Sequence, residues 1–319
     1  METNGNTTSK WKRAAQITLI AVAVLGLAIV QIETRSLVLA EANQATFQSP
    51  AEAGAALVQA ARNDDEAALG QILGVNTKTL LGSGDKEADK TALKTFATKY
   101  DKMNRWVDMT DGSRVLYIGA DNFAFPVPIA KNSSGMWYFD AVAGAEEIRA
   151  RDIGRNELLT IDASSALADA QNAYFASGGD SAEYAQRIIS TPGKQDGLYW
   201  PTSGKGAPSP LASLGEFPRS SLASLSQGEP LVLDGYKFRV LTAQGNEALG
   251  GAKNYIVNEK MTAGFAILAT PLKYAETGIM TFMTAPDGTV YERDLGPETA
   301  KITASIQEFN PTDDWAHAE

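Results

Sequence analysis

The chain has 319 residues, of which 44% are hydrophobic and 21% charged, a balance that supports folded domains and excludes disordered or collagen-like architectures. Its net charge of −10 repels phosphate backbones, so no nucleic-acid partner is expected. With no cysteine and a single histidine, the composition excludes disulfides, lipid attachment through cysteine, iron–sulfur clusters, thiol catalysis and zinc sites built on His and Cys.

Lys10, Lys12 and Arg13 precede an apolar run over residues 14–32 that only Gln16, Thr18 and Gln31 interrupt. A basic flank followed by an apolar stretch at the N-terminus predicts an export signal, and Ala40-Glu41-Ala42 offers a peptidase site, making residues 1–42 a leader. The alternative is a retained membrane anchor, because about 19 residues suffice to span a bilayer. Either way the basic flank stays cytoplasmic and the body faces the periplasm or cell envelope, touching membrane only through residues 14–32. Without residues 1–42 the body carries a net charge of −11.

A first domain is expected over residues 45–153. Ser49-Pro50-Ala51-Glu52 opens a helix: Ser49 caps it, Pro50 suits the first position and Glu52 reaches back to the cap amide. Asn63-Asp64-Asp65 restarts a second helix that ends near Gly74. A third runs from about Glu87 to Met103, with Leu93, Phe96, Ala97 and Tyr100 on its core face. From Arg114 the period shortens to that of strands, predicted at Arg114 to Ile118, Phe123 to Ala130 and Met136 to Asp140, with Asn132-Ser133-Ser134-Gly135 turning the last pair. Helices followed by an antiparallel sheet make an α+β layer.

A second domain is expected over residues 154–319. It opens with a long helix from Gly154 to Ser177, followed by a turn-rich stretch from Ser190 to Pro210. Strands are predicted at Gly235 to Leu241, Gly264 to Ala269, Gly278 to Thr284 and Thr289 to Glu292, with Pro286-Asp287-Gly288 closing the last hairpin. This too is α+β, a long helix against an antiparallel sheet.

The segments FQSPAEA, GRNEL, EYAQRIISTPGKQDGLYWP, LDGYKFRVLTAQG and ATPLKYAETGIMTF resemble a bacterial exported family known as domain of unknown function 2950. That resemblance spans the body and implies an envelope location and a two-part architecture; it carries over no catalytic residues. In element order, residues 45 to 150 look like the nuclear-transport-factor-2-like (NTF2-like) cone. The long helix ending in AQNAYFAS, followed by DGYKFRV, GFAILATPLKYAETGIMTF and the final hairpin, is similar to the headgroup of type IV pilins and pseudopilins. Pilins join their apolar helix directly to that headgroup, whereas here a domain of about 100 residues intervenes.

The one histidine, His317, lies near the chain end, a poor place for a catalytic imidazole and more in keeping with a mobile surface residue. Gly204-Lys205 is followed by Gly206 rather than Ser or Thr, so no phosphate loop is present. Pro192 and Gly193 between Ser190 and Lys194 rule out a helical Ser-Lys arrangement. Asp287, Asp294 and Glu298 offer oxygen ligands in a loop-rich region, at spacings that fit no EF-hand. No catalytic residue, metal ligand or cofactor is assigned.

One place remains where recognition could show. Lys194 and Asp196 beside Tyr199 and Trp200 combine aromatic area with charge, unless the two aromatic residues only anchor the loop to the core. The reading is a non-enzymatic binding or assembly module of the cell envelope, its partner an envelope protein or polymer. The alternatives are a carboxylate-dependent hydrolase of cell-wall or extracellular polymer, or a carrier of a small ligand.

Overall fold

A computed structural model of the chain describes residues 44–74, 82, 84–201, 207–213 and 230–318. The expected leader lies outside these residues. No helix among the described residues is long and apolar enough to cross a membrane. The architecture is mixed α+β, with six α-helices among the described residues and antiparallel sheets. Two compact units divide between Arg151 and Asp152.

In the first unit, α1 (Pro50–Arg62) starts as its sequence dictates, with Ser49 Oγ accepting from Glu52 N at 3.2 Å. The Glu52 carboxylate reaches one residue further back than expected and accepts from Gln48 N at 2.8 Å. Asp65 caps α2 (Glu66–Leu73) through Ala68 N, and Gly74 closes it at φ +90°. Asp85 caps α3 (Lys86–Lys102), whose face of Leu93, Phe96, Ala97 and Tyr100 packs onto the core.

The sheet then forms from β1 (Asn104–Asp108), β2 (Arg114–Ile118), β3 (Phe123–Ala124), β4 (Ile129–Lys131) and β5 (Trp137–Phe139), in the order β1-β2-β4-β5 with β3 also on β2. The single strand expected from Phe123 to Ala130 is two short ones. Pro126 and Pro128 between them have no amide to donate to a ladder, and only Phe125 bridges the gap, donating to Leu116 O at 2.8 Å. The strand β1 was not expected; it follows α3 after one residue, and its half-exposed residues show no apolar alternation. Leu57, Leu73, Leu116, Ile118, Ile129 and Phe139 are fully buried at the centre.

The long helix α4 (Ala141–Ser177) begins thirteen residues before its expected start at Gly154. Its first amides, Val142 N and Ala143 N, donate to Asp140 Oδ1 at 3.1 and 3.0 Å. Gly144 sits in that first turn because a Cβ there would lie 2.8 Å from Val127.

In the second unit, α4 buries Thr160, Ala163, Ser164, Leu167, Ala168 and Gln171 at helical spacing. A short α5 (Pro210–Ser213) follows. The main sheet consists of β6 (Leu231–Leu233), β7 (Tyr236–Leu241), β12 (Ala266–Pro271), β13 (Met280–Thr284), β14 (Val290–Asp294) and β15 (Ala316–His317), in the order β15-β14-β13-β12-β7-β6. Two small ladders lie between: β8 (Ala243–Gln244) with β9 (Lys253–Asn254), and β10 (Ile256–Val257) with β11 (Lys260–Met261).

Four of the six main strands match their sequence signals to within two residues at each end. The hairpin at Pro286-Asp287-Gly288 closes as expected, with Gly288 at φ +86° and Asp287 Oδ1 accepting from Thr289 N. Alternation along β7 puts Tyr236 and Phe238 on one face and Arg239 on the other. The Arg239 guanidinium donates to the Thr303 and Ile306 carbonyls at the end of α6 (Thr299–Ser305), tying that helix to the sheet.

Candidate functional site

The segment that the sequence singles out, Ser190 to Trp200, is braced from within. Ser190 N donates to Tyr199 O at 2.9 Å, and Tyr199 N to Ile188 O at 2.9 Å, so the two arms pair as a parallel bridge. Between them Asp196 accepts from Thr191 N at 2.8 Å and from the Thr191 hydroxyl. Burial pulls the Asp196 carboxyl upward, but those two bonds and the Arg187 guanidinium at 3.8 Å outweigh it and hold it below the usual carboxylate range. The buried Ser190 Oγ accepts from Gly197 N at 3.0 Å. A side chain at Gly197 would meet Ser190 N at 2.8 Å and Ile189 C at 2.9 Å, so the close approach of the two arms requires glycine.

The four predicted residues therefore take different positions. Tyr199 belongs to the core beside the fully buried Leu198, and Trp200 is half-buried with Nε1 donating to Ala207 O at 3.2 Å. Asp196 works inside the loop. Lys194 is exposed, with its amide closing a turn onto Thr191 O at 3.0 Å. Together with Pro192, Gly193 and Gln195 it forms the exposed tip, which Tyr174 steadies by donating its hydroxyl to Gln195 O at 3.0 Å.

A second polar constellation was not anticipated. It joins three segments far apart in sequence: GRNEL, LDGYKFRV and ETGIM. From α4, Asn156 Nδ2 donates to Thr277 O at 3.0 Å, while Glu157 Oε1 accepts from Ile279 N at 2.8 Å and Met280 N at 3.0 Å. Tyr236, fully buried, donates to Met280 O at 2.9 Å. Burial, with the neighbouring Glu157 and Glu292 carboxylates, pushes its hydroxyl far above the usual tyrosine range. Here the helix side chains replace a partner strand for the backbone leading into β13. The only sequence signal was that these three segments stood out as motifs.

The acids considered for calcium are occupied separately. Asp287 serves Thr289 N, Asp294 accepts from Gly296 N and from the Tyr274 hydroxyl, and Glu298 pairs with Lys301 at 3.6 Å. Among the described residues no three of His, Cys, Asp and Glu gather where a metal could sit. His317 is exposed, yet it lies within β15 with its ring 4.7 Å from that of Tyr291, so it is held by the sheet edge rather than freely mobile.

The first unit carries an open groove of about 650 Å³ along α3, lined by Glu87, Ala88, Thr91, Ala92, Thr95, Phe96 and Lys99, with Ile118 and Phe123 as its far wall. Phe123 is 43% exposed, with the Lys99 ammonium 5.2 Å from its ring centre.

The family model described as protein of unknown function, DUF2950, matches residues 44–318, so the chain belongs to that family. No curated protein and no solved structure matches it.

Proposed function

We propose that this member of the DUF2950 family is an exported, non-enzymatic binding or assembly module of the cell envelope, and that the Ser190–Trp200 loop is its recognition element. The observation that carries this reading is the internal bracing of the loop: Asp196, Ser190, Tyr174 and Tyr199 fix its frame and leave Pro192–Gln195 as exposed surface. A surface fixed before binding loses little conformational freedom when a partner arrives, which favours affinity. At its tip Lys194 presents a cation on a chain of net charge −10, suited to an acidic site on an envelope protein or polymer and not to nucleic acid.

Asp287, Asp294 and Glu298 each serve a neighbouring backbone amide or lysine, so none of these three supports a site for a cation. Three helices followed by a five-stranded antiparallel sheet support reading the first unit as an NTF2-like cone. A long helix with a six-stranded antiparallel sheet supports reading the second as pilin-headgroup-like. Export through residues 1–42 would place both in the envelope.

The test is cross-linking in intact cells, comparing the native chain with Lys194→Glu. The variant is expected to melt at the native temperature and to lose a specific cross-linked partner. If both chains capture the same set, the loop is not the recognition element.

A further inference from the structure

We propose that the turn of the β10–β11 hairpin is the second half of the recognition surface, with Glu259 as its charged contact, and that the partner is a protein of mixed surface charge rather than a polymer. This rests on the reading of the Ser190–Trp200 loop as a recognition element and extends it to a segment that follows much later in the chain.

Two adjacent residues hold the two turns together. Gln186 Nε2 donates to Glu259 O at 2.9 Å, and the Arg187 guanidinium lies 3.8 Å from the Asp196 carboxylate. Just before them, Tyr184 N donates to Met261 O at 2.7 Å and docks the same segment on β11. The hairpin turn and the Pro192–Gln195 tip are therefore hung from one stretch of backbone, and both are exposed.

The hairpin turn carries a side chain that stability does not explain. Asn258 and Glu259 both lie in the left-handed region, at φ +52° and +67°, in a two-residue turn of the kind that favours Asn followed by Gly. Asn258 fits that preference, whereas Glu259 stands where glycine would be free of strain. Its carbonyl is bonded by Gln186, but its carboxylate is exposed and has no partner among the described residues. Strain retained at an exposed, uncommitted charge is the mark of a contact residue. One position before this turn, Val257 leaves 47% of its surface exposed.

The chemistry of the surface selects the partner. Lys194 and Glu259 present opposite charges on neighbouring turns, and Val257 adds apolar area beside Glu259. A polyanionic polymer would meet Lys194 favourably but be repelled by Glu259 on a chain of net charge −10. A neutral glycan would stack on exposed aromatic faces, yet the loop turns Tyr199 into the core and ties Trp200 to Ala207 O. A protein surface that offers an acid to Lys194, a base to Glu259 and an apolar hollow to Val257 matches all three.

The test places the photo-cross-linking residue p-benzoylphenylalanine at Gln195 or at Lys260 of the full chain in intact cells. Both positions are expected to give the same adduct, and protease is expected to digest the added mass. With the photo-residue at Gln195, Glu259→Gly and Val257→Asp should each lower the adduct about fivefold. Glu259→Gly relieves strain, so it should melt at or above the native temperature while it loses adduct, a combination that a structural role would not produce. With the photo-residue at Lys260, Lys194→Glu should abolish the adduct. If Lys194→Glu abolishes it while Glu259→Gly and Val257→Asp leave it intact, the loop reading stands and the hairpin proposal falls. If Lys194→Glu changes nothing, the loop reading itself fails and this proposal with it. Different adducts from the two positions, or an adduct that protease cannot digest, also overturn the proposal.

Discussion

Replacing Gly278 with alanine places a methyl group where the structure has no room. The added Cβ would lie 1.9 Å from the Tyr236 hydroxyl and 2.4 to 2.6 Å from two ring carbons, on a fully buried side chain. Gly278 is absent from the positive-φ residues, so the cost arises from contact alone and not from backbone conformation. Overpacking of this kind costs about 1–3 kcal/mol, and moving the ring also breaks its 2.9 Å bond to Met280 O, about 1 kcal/mol more. With a total near 3 kcal/mol, the thermal midpoint of the second unit should fall by roughly 6–12 °C. Near-UV circular dichroism follows the transition through the buried tyrosines. A cycle with Tyr236→Leu isolates the cause: with the ring gone, Gly278→Ala should cost much less than it does alone. Strictly additive effects, or a midpoint within 2 °C of native for the single variant, would refute the reasoning.

Glu157→Ala removes the acceptor of two β13-side amides and should cost about 2–3 kcal/mol, visible as a lower urea midpoint and faster hydrogen exchange at Ile279 and Met280. Asn258 and Glu259 turn the β10–β11 hairpin with φ of +52° and +67°; Glu259→Gly should relieve the second and stabilise the fold by about 0.5–1 kcal/mol in the same titration. The folded Asp196 carboxyl titrates below its unfolded value, so the unfolded chain takes up the proton first as pH falls. Its contribution is therefore complete above about pH 4 and disappears as pH drops through the depressed folded value. Melting curves of the native chain and Asp196→Asn should differ at neutral pH and converge in acid; a constant gap would show that Asp196 acts otherwise.

Local chemistry made much of the fold legible. Ser49, Asp65 and Gly74 announce their helix ends because a cap needs only nearby amides, and Pro286-Asp287-Gly288 announces its hairpin because the turn bonds close within five residues. Asp140 caps just as locally, but Gly144 four residues on weakens the helix signal there, and its reason is Val127 against the helix. Helices α1 to α3 carry their own apolar faces, whereas β1 and β15 are half-exposed or exposed edges whose place depends on the neighbour they pair with. For the loop, residue type pointed to a surface but did not show which side chains face inward: Tyr199 packs in the core, and Asp196 spends its oxygens on Thr191. The Glu157 constellation was illegible for a different reason. Its partners are backbone amides more than 120 residues away, and backbone amides look alike in every sequence.

That separation also sets an order of events during synthesis. Asp140 and its capped amides emerge together, and Phe47 meets Trp137 once some ninety residues have followed it. Glu157 must wait until Met280 has left the ribosome before its carboxylate finds either amide. For most of elongation the second unit is thus a helix-forming segment without its sheet, unable to close ahead of time, whereas the first can close as soon as α4 begins.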